Sequence, residues 1–338
     1  MSRLFSPYDL KGVSLRNRIV MSPMCQYQAD GDGVPNDWHF VHYVSRAIGG
    51  TGLIVIEMTD VEARGRITNG CLGLWNDRQR DAFARLVDRF HHFGAKAGIQ
   101  LAHAGRKSTI QGNDVVAPSA VAFDASLDRP LPRVLEVAEI EEIVRAFGRS
   151  AALAVDAGFD LIELHGAHGY LIHQFMSPSS NHRTDAYADR GKLAVDVVRE
   201  VRRNVPASFP LVFRVSATET NPDGYVLSDV LDICDRLVEA GVDAFDVSAN
   251  GNGPIRPPVY PAYQAPLARV FKERYGLPTI SVGRLENPAV AAHVVERCDT
   301  DLVMIGRGLL RNPYWARDAA DALGATLELP GVYEMGLR

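Results

Sequence analysis

The stretch AGFDLIELHGAHGYLIHQF, residues 157–175, runs in one pass from the end of a helix, through a strand, into a cluster of polar rings. Upstream of it, EEIVRAFGRSAALAVD has helical periodicity. It stops at Ala157-Gly158, where glycine can take the left-handed helix-stop conformation. DLIELHGAH (160–168) is nearly all apolar at first, which suits a strand covered on both faces in a parallel sheet. The same Ala-Gly-(Val/Phe)-Asp phrase precedes DAFDVSAN (243–250), an echo of repeated αβ units.

Six further runs have the same character: RIVMSPM (18–24), GLIVIEMTD (52–60), GIQLAHAG (98–105), PLVFRVSA (210–217), PTISVGR (278–284) and DLVMIGRG (301–308). Helical patterns alternate with them. DRQRDAFARLVDRFHHFGAKAG places Phe83, Leu86, Val87 and Phe90 on one face. Further helices are predicted over 37–46, 228–241, 188–203 and 288–297. This alternation predicts an α/β fold, a single (β/α)8 barrel over residues 1–338. The first 17 residues, with Gly12 between YDLK and VSLRNRI, predict a short N-terminal hairpin capping the barrel bottom. A doubly wound sheet would carry GxGxxG after an early strand, and GRGLLR (306–311) lacks the third glycine.

The net charge of −5 argues against a nucleic-acid partner. No apolar run reaches the roughly 18 residues needed to span a bilayer. MSRLFSPYDLKG lacks the apolar stretch of a secretory signal, and four scattered cysteines form no CxxC, so a cytoplasmic protein is expected.

In such a barrel the chemistry gathers at the C-terminal ends of the strands. Those ends carry Ser22, Pro23, Met24, Cys25 and Tyr27; Glu57, Met58 and Thr59; Gln100, His103, Arg106 and Lys107; His165, His168 and Tyr170; Arg214; Ser248 and Asn250; Gly283 and Arg284; Gly306 and Arg307. Paired acids of the glycosidase kind are not evident. His165 and His168 are three apart, so they converge only if the strand ends near 165 and turns at Gly166 and Gly169. Three readings follow. Two neutral imidazoles can bind an oxyanion, with Tyr170 as a general acid. A metal site would need His103 or His173 as a third ligand. The cluster can also be structural. Gly283-Arg284 and Gly306-Arg307 close the last two strands, where barrels bind phosphate, although both arginines can equally pair with surface acids. His39, His42 and His173 read as structural.

Taken together, NRIVMSPMCQY, HYVSRAIGGTGLIVIE, GRIT, GIQLAHAGRKS, APSA, GFDLIELHGAHGYLIHQFMSPSSNHRTD, FRVSA and LVMIGRGLLRNP resemble the Old Yellow Enzyme family of ene-reductases, in particular its thermophilic-like subgroup. The resemblance implies FMN at the strand ends, reduced by NADPH or NADH. It implies reduction of the activated C=C of α,β-unsaturated carbonyl, maleimide or nitro compounds in a ping-pong reaction. It also implies a homodimer or homotetramer. His165 and His168 would bind the activating oxygen and Tyr170 would donate the proton. Tyr27, Cys25 and Lys107 would meet the substrate. Ser22, Pro23, Met24, Cys25, Met58, Gln100 and Arg214 would lie against the flavin ring, and Gly283, Arg284, Gly306 and Arg307 against its phosphate. The sequence departs from the family over 186–198. It also has Met335 where the subgroup places an arginine that reaches a neighbouring subunit, with Arg338 three residues on. The rival readings are a reductase specialised for a dienoyl thioester, a flavin barrel acting on tRNA, and a flavin-binding sensor without turnover.

Overall fold

The structure, a computed structural model, describes residues 2–124, 126 and 131–335. Two short strands open it, β1 (Tyr8–Leu10) and β2 (Val13–Leu15), paired antiparallel. Their two-residue turn has Lys11 at φ 50° and Gly12 at φ 85°. Positive φ at both turn positions matches the twist of the flanking strands.

Eight parallel strands follow: β3 (Ile19–Met21), β4 (Leu53–Asp60), β5 (Lys96–Ala102), β6 (Leu161–Gly166), β7 (Leu211–Ser216), β8 (Ala244–Ser248), β9 (Thr279–Ser281) and β10 (Leu302–Ile305). Each pairs with its neighbour in chain order, and β3 pairs with both β4 and β10, so the sheet closes into a barrel. The strands are shorter than their apolar runs because several run ends already belong to the turns at the mouth. Helices α1 (Asp37–Ile48), α2 (Asp77–His92), α3 (Val137–Asp156) and α5 (Lys192–Asn204) pack outside, with the short α4 (Leu171–Met176) between the last two. The altered 186–198 region is ordered: the Asp185 carboxylate accepts from Tyr187 N at 3.0 Å, and α5 starts at Lys192.

Strand alternation separates two apolar layers. Ile162, Leu164, Phe213, Val215, Phe245 and Val247 point to the helices and join Phe83, Phe90, Ile140 and Phe147 in the larger core. Leu161, Val212, Ala244, Ile280 and Leu302 point inward and pack with Leu10 and Leu15 of the hairpin. The hairpin therefore plugs the N-terminal end, as expected. Two residues further along the inward faces stand Glu163, Arg214 and Asp246, and two further His165, Ser216 and Ser248. The floor of the barrel is thus apolar and its upper half polar. Among the described residues no helix is long and apolar enough to cross a membrane.

Candidate active site

β6 ends at Gly166, and the chain turns through Ala167, His168 and Gly169 before α4 begins. His168 has φ 57° and Gly169 φ 73°, two consecutive left-handed residues. This turn overcomes the three-residue spacing that would otherwise put the two histidines on opposite faces. It is tied down on every side. Gly169 N donates to His173 Nδ1 at 2.9 Å, and the other nitrogen of that ring meets Glu219 Oε1 at 2.8 Å. His173 is thus a fully buried structural residue, as read from the sequence. Gly166 has no room for a side chain, since a methyl group there would lie 2.2 Å from Phe213 Cζ. Gly166→Ala is expected to lower stability by about 1–3 kcal/mol through overpacking, measured as a reduced Tm; an unchanged Tm would show that Phe213 can move aside.

The turn brings the rings together. His165 and His168 lie 5.2 Å apart, centroid to centroid, and are perpendicular. The Tyr170 ring is 4.8 Å from His165. His168 Nε2 is 2.7 Å from Ser248 Oγ, and His168 N donates to Ser216 Oγ at 3.1 Å. His165 Nδ1 accepts from Ala167 N at 3.3 Å, which assigns the proton of a neutral ring to Nε2. Burial, then the neighbouring His168, Arg214 and Lys107, push the His165 pKa well below its usual range. Burial with Arg214 and Lys107 does the same to His168. Both rings are therefore neutral donors at physiological pH. Burial holds Tyr170 well above the usual phenol range, so it keeps its proton. Lys107 lies over the Tyr170 ring at 4.7 Å and donates to His168 O at 2.9 Å.

His103 does not join a metal site. Its Nε2 meets Glu62 Oε1 at 3.0 Å and its Nδ1 accepts from Gly105 N, which anchors the loop that carries Lys107. No group of three candidate ligands for a metal exists among the described residues.

Across the mouth, the turn after β3 presents Cys25, half-buried, and Tyr27, exposed. Met58 is only 1% exposed, packed with Ile67, Cys71, Ala102 and Ala104 in a small apolar wall against which Cys25 and Tyr170 lie. Deeper in, Gln100 Nε2 donates to Glu163 Oε1 at 2.7 Å, and Arg214 Nε lies 2.9 Å from Asp246 Oδ2, off the hydrogen-bonding line. Glu163 and Asp246 thus form a pair of acids, but not one of the glycosidase kind. Both are fully buried beside one guanidinium, and burial raises the pKa of each. Their depth gives them no face toward the mouth on which to attack a glycoside.

A cavity of about 230 Å3 opens beside His168. Arg214, Gly283, Arg284, Gly306 and Arg307 line it, together with Tyr263 and Gln264, which the sequence gave no reason to select. Gly283 has φ 108° above the Tyr263 ring. At Gly306 a Cβ would meet nothing nearer than Met24 Sδ at 3.4 Å, so the protein leaves space there that it does not fill. Both arginines are exposed, and Arg284 donates to Glu286 Oε1 at 2.7 Å. The two arginines are thus unequal: one pairs with a surface acid, as the alternative reading had it. Met24 Sδ and Ser22 Cβ are the atoms nearest to that point at Gly306, and Pro23 lies between these two residues in the chain. Met335 is 74% exposed, and Arg338 lies outside the described residues.

A barrel whose mouth joins an arginine-glycine pocket to a histidine–tyrosine cluster narrows the choice of family, and comparison decides it. Residues 3–325 match the model of the NADH:flavin oxidoreductase / NADH oxidase family. The chain belongs to that family. Curated relatives in it include an NADPH dehydrogenase of Listeria monocytogenes serotype 4b, 47% identical over 98% of both chains. An NADPH dehydrogenase of Geobacillus thermodenitrificans is 45% identical over 99% of this chain and 98% of its own. Among solved structures, a 2-naphthoyl-CoA reductase complex superposes with a TM-score of 0.90 over 96% of this chain, at 22% identity, a likeness of fold. This chain spans about half, 52%, of that reductase chain. As a flavin oxidoreductase the molecule works with a flavin and a reduced nicotinamide. The cavity beside His168, with Gly283, Gly306, Arg284 and Arg307 in its wall, fits the phosphate end of such a group.

Proposed function

We propose that this flavin oxidoreductase is an NADPH dehydrogenase that holds FMN across the barrel mouth and reduces the C=C bond of small alkenes activated by a carbonyl, imide or nitro group. The carrying observation is the contact of two neutral imidazoles and a protonated phenol at the barrel mouth, with His168 also lining the Arg214–Gly306 pocket. The two relatives named NADPH dehydrogenase support the choice of reductant.

FMN held there would supply the hydride chemistry, with NADPH as reductant and the β-carbon of the alkene as acceptor. The chain supplies the rest. His165 Nε2–H and the His168 ring donate to the activating oxygen, where negative charge builds up as the hydride arrives. Tyr170 delivers a proton to the α-carbon from the opposite side. Lys107, held to the His168 carbonyl, places its charge over the Tyr170 ring and helps to keep both histidines neutral. Cys25 and Tyr27 bound the substrate. Ser22, Pro23, Met24, Gln100 and Arg214 surround the ring system, with Met58 packed in the wall behind. Gly283, Gly306, Arg284 and Arg307 hold the phosphate. A phosphate seated there gains charge-assisted hydrogen bonds from the arginines and amide donors from the glycine backbones.

The inequality of the arginines gives a test. Arg307→Ala is expected to weaken FMN binding about 10- to 100-fold, the loss of one charge-assisted hydrogen bond. Arg284→Ala should cost less, because Glu286 already engages that side chain. Riboflavin, without a phosphate, should bind both variants like the parent. Fluorescence titration of apoprotein with the two flavins measures this. Equal weakening toward riboflavin would place the phosphate elsewhere.

A further inference from the structure

The turn that carries Cys25 and Tyr27 is conformationally unfavourable on its own. Tyr27 has φ 55°, a left-handed backbone that a bulky residue adopts only when its surroundings enforce it. The enforcing group is Glu57, which is fully buried. One carboxylate oxygen accepts from the Tyr43 hydroxyl of α1 at 3.0 Å, and the other accepts from Gln26 N at 2.5 Å. The Tyr27 amide also donates to the carboxylate. Glu57 N in turn donates to Tyr43 Oη at 3.0 Å. The pairing of β4 with β5 bulges here: register jumps from Ile56–Ile99 to Thr59–Leu101, so that Glu57 and Met58 together oppose Gln100. Such a bulge re-aims a side chain. One carboxylate thus joins β4, α1 and the turn that bounds the substrate.

We propose that Glu57 is the positioning residue of this site: its carboxylate fastens the Cys25–Tyr27 turn, and protonating it loosens the turn's hold on the substrate. The inference rests on the reading of Cys25 and Tyr27 as substrate contacts.

Burial pushes the Glu57 carboxyl up to about 7, against the opposing hydrogen bonds from Gln26, Tyr43 and Tyr27. The titratable groups facing it bring no cation near neutrality. From α1, His39 Nε2 is 3.8 Å away, but burial lowers that imidazole to about 4 and leaves it neutral. Tyr43 is held protonated by burial. Cys25 and Tyr27, in the turn, are both raised, first by burial. Asp60, further along β4, is also raised by burial. Glu57 therefore gains its proton as the pH falls through about 7, and the two turn amides then lose their charged acceptor. Its charge also reaches Cys25: after burial, Glu57 is the main influence keeping that thiol protonated.

The test uses FMN-loaded protein and 2-cyclohexen-1-one, a substrate that does not titrate. Its KM should fall about tenfold as the pH rises through 7, the value of a hydrogen bond to a charged group. In E57Q it should stay at the high acid value throughout. Y43F removes a donor that stabilises the carboxylate, so its KM profile should move to higher pH; this arm stands even where E57Q does not hold FMN. Alkylation of Cys25 by iodoacetamide, read peptide by peptide in a Cys298→Ser background, should be about tenfold faster in E57Q at about pH 9, where the parental carboxylate is fully charged, because a like charge has been removed, and the difference should shrink as the pH falls through 7. A flat parental KM profile, an E57Q profile that keeps the parental step, or a Y43F midpoint that does not move would overturn the proposal. If the parent protein does not turn over the enone, the functional reading fails by itself. Alkylation then decides the role of Glu57, and equal Cys25 rates in parent and E57Q reject it.

Discussion

Tyr170→Phe is expected to slow alkene reduction by about 10²- to 10⁴-fold, the usual range for a removed general acid, while reduction of the flavin by NADPH continues at close to its parental rate. The asymmetry follows from the chemistry. Hydride transfer from the nicotinamide needs no proton at the Tyr170 position; quenching of the α-carbon does. The substitution removes one oxygen and leaves the ring, so the 4.8 Å contact with His165 and the packing against the Met58–Cys71 wall should survive. Because burial keeps the phenol protonated, the loss should be constant across the neutral range. Stopped-flow measurement of the two half-reactions separates them. Equal losses in both would show that Tyr170 only shapes the cavity.

His165→Ala should cost about 10²- to 10³-fold in kcat/KM for enones, the magnitude of a lost oxyanion donor. His165 Nδ1 is occupied by the Ala167 amide, so its Nε2–H is the available donor, and alanine has none. Affinity for para-substituted phenols, whose oxygen would sit at the same point, should fall in parallel. His168→Ala should act the same way with an added structural loss, since Ser248 Oγ would be left without its 2.7 Å partner. Phenol affinity unchanged in His165→Ala would remove the oxyanion role.

Much of this was legible in the sequence, for reasons that differ by residue. The barrel showed because both faces of each strand are covered, which forces apolar runs separated by helices ending in Ala-Gly. The convergence of His165, His168 and Tyr170 showed because Gly166 and Gly169 bracket the turn. The supporting groups were harder to see. Glu163 and Asp246 each stand two residues before a strand-end residue, His165 and Ser248, and so share its face. A carboxylate inside an apolar strand is a signal in itself, but their shared contact with Arg214 spans three strands and has no local trace. Glu57 was visible as a strand-end acid; its hold on Gln26 depends on a bulge that alternation alone does not predict. Tyr263 and Gln264 lie beyond a strand end, after a loop, so reading strand ends passes over them. The pairing of Arg284 with Glu286 is local, two residues apart, and was open to the sequence as one of two alternatives.

On the proposed function, a flavin lies across the barrel mouth with the imidazole pair and the phenol facing one side of its ring. The visible spectrum of the purified protein, titrated with a para-substituted phenol, tests it most directly. The expected result is a yellow protein that develops a long-wavelength charge-transfer band with the phenol, a band that His165→Ala does not form. A colourless protein that fails to take up added FMN, or a bound flavin whose spectrum the phenol leaves unmoved, would contradict it.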